Sequence, residues 1–161
     1  MSTEANKALI QHFFDALNMN DLATMASFWA RDEVNHGRYA EADQRQERPP
    51  AGLEGLRRVF QSLHTAFPDR QWHIEDLIAE GDRVVCRLTV SGTHQGIPEI
   101  PVEGGPLLQA ILPSGKHYTI QHVHIFRVTD GKIAEHWASR DDLGLLQQLG
   151  AFQAPRSVAH K

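Results

Sequence analysis

Apolar residues recur at helical spacing along the first part of the chain. Leu9, Ile10, Phe13, Phe14 and Leu17 describe one amphipathic helix, and after the Asn20-Asp21 start signal Leu22, Met25, Ala26 and Trp29 describe a second. The polar stretch 38–50 reads as a loop, and Leu53, Leu56, Val59, Phe60, Leu63 and Phe67 then mark a third helix stopped by Pro68. From Trp72 the period falls to two. Residues 72–78 form a strand, Gly81-Asp82 a turn, and Val84, Cys86, Leu88 and Val90 a second strand alternating with Val85, Arg87 and Thr89. A Gly/Pro-rich passage, 96–106, leads to a short strand near 107–112 and a turn at Pro113-Ser114-Gly115-Lys116. A long strand over 118–128, a hairpin at Asp130-Gly131, a last strand and a helix carrying Leu143, Leu145, Leu146 and Leu149 complete the pattern.

Helices in one block and antiparallel strands in another predict an α+β domain: a cone-shaped, curved, mixed or antiparallel sheet wrapped around the N-terminal helices. The 161 residues, 41% apolar and 22% charged, suit one domain, with 1–150 as its core and 151–161 as a tail. There is no internal repeat. A formal charge of −4 without a Lys/Arg cluster argues against nucleic acid as a partner. One cysteine, Cys86, allows no internal disulfide and reads as a small buried hydrophobe. No window is apolar enough for a membrane span and the first residues do not read as a secretion signal, so a soluble, cytoplasmic protein with no membrane partner is expected.

Candidate chemistry concentrates in the segment 122–150. His122 and His124 share one face of a strand, and the Asp130-Gly131 hairpin returns His136 beside them. Imidazoles gathered in this way are expected to titrate near neutrality, suited to moving protons or holding a metal. His36 is a looser candidate, in a turn at the exit of the second helix. Glu135 should face away from His136, and Asp141 and Asp142 read as helix caps. Arg140 is placed to orient a substrate at a cavity rim. Trp29, Phe60, Trp72 and Trp137 offer apolar walls for a ring-bearing ligand, with core packing as the competing reading. His36, His122, His124 and His136 also form an alternative metal-ligand set.

The order of elements, and above all Val123-His124-Ile125-Phe126-Arg127, Asp130-Gly131-Lys132-Ile133, Glu135-His136-Trp137 and Gln148-Leu149-Gly150, resemble the SnoaL-like polyketide cyclases and ester cyclases of the nuclear transport factor 2-like superfamily. Supporting motifs are Phe13-Phe14, Val34-Asn35-His36, Phe67-Pro68-Asp69 and Gly92-Thr93-His94-Gln95-Gly96. The resemblance implies a cofactor-free small-molecule cyclase, isomerase or lyase, and places the pocket histidine of that family at His124. It puts the family's acid/base aspartate at Ala138, whose methyl group cannot accept a proton.

The expectation is therefore acid/base chemistry on a carbonyl-containing substrate by His124, His136 and His122. Substrate contacts would come from His36, Trp29, Phe60, Gln109 (on the strand near 107–112) and Arg140. A non-catalytic binding or assembly module and a His-ligated metal protein are the alternatives. The long strand is apolar on both faces, with Val123 and Ile125 opposite the histidines, and this predicts a homodimer.

Overall fold

The computed structural model describes residues 2–36 and 52–152. The predicted loop 38–50, and all but the first two residues of the expected tail, lie outside this range. Chain order is α1 (Thr3–Asn18), α2 (Leu22–Ser27), β1 (Trp29–Asn35), α3 (Gly52–Ala66), β2 (Gln71–Glu80), β3 (Arg83–Thr93), α4 (Gly105–Gln109), β4 (His117–Thr129), β5 (Lys132–Arg140) and α5 (Asp142–Leu149). The strands form one open, curled sheet ordered β1-β5-β4-β3-β2, antiparallel throughout except where β1 runs parallel to β5. The α+β expectation holds.

Capping fixes the helix starts. Ser2 Oγ accepts from the Ala5 amide, Asp21 from Thr24 and Asp141 from Gly144, so Asp141 acts as the cap that its position suggests. At the last hairpin Asp130 and Gly131 both have positive φ, 51° and 72°, the backbone of a turn that matches strand twist. Along β4, Tyr118, Ile120, His122, His124, Phe126 and Val128 point inward. They meet Val84, Cys86, Leu88 and Val90 of β3, and α1 closes the face with Phe13 and Phe14. Cys86 is fully buried, as expected, and burial, with the Asp76 charge behind it, pushes its thiol up to about 12.

Two elements differ from the sequence reading. Trp29 does not continue the second helix but opens β1, an edge strand whose pattern is too polar to advertise a strand. Residues 107–112 contain no strand. Gly104 and Gly105 take positive φ, and Pro106 opens the one-turn helix α4, which buries Leu108 and leaves Leu107 exposed. No helix among the described residues is long and apolar enough to cross a membrane.

Candidate active site

The three histidines of the last two strands meet on the inner face of the sheet. Pairing sets His122 opposite Arg140, His124 opposite Ala138 and Phe126 opposite His136. One device makes this work. The register of β5 slips by a residue between Arg127/Glu135 and Val128/Ile133, so that Ile133 and His136 both face the core. Without the extra residue, the period of two would turn Glu135 inward and His136 out.

The rings then join end to end. His122 Nδ1 lies 3.2 Å from His124 Nε2, and His124 Nδ1 lies 2.8 Å from His136 Nε2. Aromatic side chains enclose them: Phe126 stacks at 4.9 Å on His136 and 5.9 Å on His124, while Phe14 and Trp29 present their edges to His124 and His136. His136 Nδ1 and the Trp29 indole N–H are both shielded and have no hydrogen-bond partner among the described residues.

At its other end the chain reaches a buried ion pair. Glu103 accepts at both carboxylate oxygens from Arg70 Nη2, at 2.5 and 2.7 Å, and Arg70 Nη1 donates to the Tyr118 hydroxyl at 2.9 Å. His122 Nε2 faces Glu103 Oε2 at 3.8 Å. A Cβ on Gly92, which pairs with Tyr118, would lie 3.1 Å from that hydroxyl, so the missing side chain makes room for the network.

Burial penalises charge on every ring. It holds His122 down to about 4, with Glu103 pulling the other way, and His136 down to about 3, with Arg140 and His36 adding repulsion. His124 lies well below its ordinary value through burial and its two imidazole neighbours. The expected titration near neutrality is thus corrected: all three rings are neutral at physiological pH. Burial alone would raise Glu103, but the Arg70 guanidinium, with His122 and Arg140 behind it, overrides this and pulls it to about 2.

Other candidates fall elsewhere. His36 lies at the end of β1, not in a turn after a helix. Its amide bonds to the His136 carbonyl, while its ring stacks on Trp137 at 4.4 Å and contacts Glu135 at 2.9 Å, on the opposite face of the sheet from the imidazole chain. Glu135 also takes a bond from Arg127, so it faces outward as expected. The four-histidine metal set is therefore not assembled. The three inner rings engage one another instead of converging on one point, and no group of three or more His, Cys, Asp or Glu among the described residues could hold a metal.

Gln109 sits on α4, not on a neighbouring strand, and its amide is spent on the Pro98 and Glu99 carbonyls at 3.2 Å. Arg140 faces inward beside His122, with Asp142 Oδ1 3.6 Å from its Nε. Phe60 lies away from the imidazoles, in a depression with Asn18, His64, Arg70 and Trp72. Sequence reasoning missed Arg70, Glu103 and Tyr118, which are distant in the chain. It also missed Glu33, whose carboxyl burial raises to about 7 against the pull of His36.

The fold has counterparts among known proteins. The pattern of the SnoaL-like polyketide cyclase family matches residues 8–149. Aklanonic acid methyl ester cyclase DnrD from Streptomyces peucetius is 26% identical over 152 residues, covering 93% of this chain and 92% of that protein. Among solved structures, TsrD from Streptomyces laurentii superposes with a TM-score of 0.75 at 28% identity, over 94% of this chain and 99% of TsrD. AclR from Streptomyces galilaeus matches with the same score and identity, over 94% of this chain and all of AclR. With a family match spanning nearly the whole length, the strands that hold the histidines included, the chain belongs to the SnoaL-like polyketide cyclase family.

Proposed function

We propose that this protein is a cyclase- or isomerase-type enzyme that removes an acidic proton beside a carbonyl of a small-molecule substrate, with a neutral imidazole as base. The observation that carries this reading is the pair of shielded groups without hydrogen-bond partners among the described residues, on rings in edge contact: an imidazole nitrogen, His136 Nδ1, and a donor, the Trp29 indole N–H. Leaving such groups buried without partners costs on the order of 1–3 kcal/mol each, a cost that a bound ligand would relieve. The proton of an activated C–H would go to the nitrogen, and the indole N–H would bond the enolate oxygen as charge develops there. His136 takes the role left open by Ala138, two residues along the same inward face. His124 and His122 support it, and Arg140 lends positive charge. The similarity to an aklanonic acid methyl ester cyclase favours an ester-bearing substrate.

The test is solvent exchange. Candidate β-keto esters incubated with the protein in D2O should take up deuterium at the activated carbon faster than without it. If bound compounds show no uptake, the chain is the binding module that Ala138 also permits.

A second copy of the chain completes the reading. Ile78, Val85, Ile125 and Trp137 pair in one row across β2, β3, β4 and β5 on the outer face, with Val123 alongside, and Ile78 is 65% exposed. A row of this kind is covered by its own two-fold mate in a homodimer. Sedimentation at micromolar concentration should give twice 18.1 kDa; the monomer mass would rule the dimer out.

A further inference from the structure

The two imidazole contacts each require one N–H and one lone pair, so the three rings share a single direction. Either all three are protonated at Nε2 or all three at Nδ1. The far end decides. His122 Nε2 faces a carboxylate oxygen at 3.8 Å, and that carboxylate is held ionised by two contacts from Arg70. A lone pair at Nε2 would oppose the negative oxygen, whereas an N–H there is attracted to it.

Resting on the acid/base reading above, we infer that the Arg70–Glu103 ion pair fixes the direction of the imidazole chain, placing all three rings in the Nε2–H form and leaving His136 Nδ1 as its one bare nitrogen. His122 Nε2–H then points to Glu103, His124 Nε2–H donates to His122 Nδ1, and His136 Nε2–H donates to His124 Nδ1. The nitrogen left with a lone pair has no hydrogen-bond partner among the described residues; His122 Nε2, at the other end, also makes no hydrogen bond there but faces the Glu103 carboxylate at 3.8 Å. Glu103 and Arg70 are thus positioning residues, acting on the substrate only through the rings.

The same direction makes the chain a relay. When a substrate C–H bond breaks, its electron pair stays with the carbon as the enolate and the proton bonds to His136 Nδ1. The Nε2 proton of His136 passes to His124 Nδ1, and the Nε2 proton of His124 passes to His122 Nδ1. His122 is left as the imidazolium against the Glu103 carboxylate, and no charge is created or lost. Among the described residues, His122 is the one of the three rings that a carboxylate faces, and Glu103 pulls against the burial that disfavours its charge, whereas at His136 burial, Arg140 and His36 all act in the same direction. Return of the proton reverses each transfer and restores the bare nitrogen.

Nitrogen-15 correlation spectra of the histidine rings, assigned by single His→Asn variants, test this without any substrate. The expected result is an Nε2–H tautomer for His122, His124 and His136 alike. An Nδ1–H tautomer at His136 overturns the inference. The double variant Arg70→Met/Glu103→Leu removes both charges while filling the space, and should lose the single tautomer, giving mixed or reversed ring signals. Retention of pure Nε2–H rings in that variant overturns the role of the ion pair. A protein with the expected tautomers and no deuterium uptake keeps this inference and loses the catalytic reading, and the converse result separates them equally well.

Discussion

Replacing His136 by asparagine is expected to lower turnover by on the order of a hundredfold or more while the protein stays folded, the usual scale for loss of a positioned base. Asparagine is close to imidazole in volume, and its amide can still donate to His124 Nδ1, so the enclosure by Phe126 and Trp29 is kept and the bare nitrogen is lost. His124→Asn should cost less if His136 alone touches substrate, because the base survives and only its relay is cut. His64→Asn, on the exposed side of α3, is the control. The pH profile adds a second readout. The neutral ring is the active form, and His136 is held at about 3 by burial, Arg140 and His36, so kcat/KM should stay level on acidification from pH 8 past 6.5 and fall only toward about 3. An acid limb centred near 6.5, or full turnover in both His124→Asn and His136→Asn, would sink the histidine-base mechanism.

The sequence made the inner face legible because period-two alternation and a two-residue turn are local signals. Val84 to Val90, Tyr118 to Val128 and Asp130-Gly131 were readable in that way, and they put His122 and His124 on one face and bring the strand of His136 beside them. The β5 irregularity was not readable. Nothing in Ile133-Ala134-Glu135 marks the extra residue, yet that residue decides which way His136 points. It happens to favour the side that the resemblance implied.

The ion pair was hidden for a different reason. Arg70 and Glu103 lie 33 residues apart, in a turn and in a Gly/Pro-rich loop, and an isolated charge in such a setting reads as solvated. Only the tertiary structure joins them. His36 misled because its neighbour β1 is an edge strand: Val34-Asn35-His36 resembles a turn until parallel pairing with β5 extends it.

Removing the Glu103 charge should have the largest effect on stability. Glu103→Gln keeps the shape and one acceptor but leaves the Arg70 guanidinium, 2% exposed, without its counter-charge. Breaking one side of a buried pair costs about 3–5 kcal/mol. The depressed carboxyl gives a similar scale: a fall from 4.5 to about 2 corresponds to roughly 3 kcal/mol at 1.36 kcal/mol per unit.

The sign follows from linkage. A carboxyl whose folded pKa is depressed contributes fully above about 4.5, and its contribution is lost as the pH falls through that value toward 2. The buried imidazoles behave alike at higher pH. Their ordinary value is 6.5, so folding is penalised progressively as the pH falls below it, toward about 4 for His122 and about 3 for His136. Urea unfolding at fixed protein concentration should therefore show the native protein weakening from about pH 6.5 downward, with Glu103 joining below about 4.5. The Glu103→Gln curve should start about 3 kcal/mol lower at pH 7 and close on the native curve only in the lower window, where the native protein loses the same carboxylate to protons. A gap under about 1 kcal/mol at neutral pH, or one that stays constant to pH 3, would mean that Glu103 contributes little to holding Arg70 in the core. The rings would then need another source for their direction.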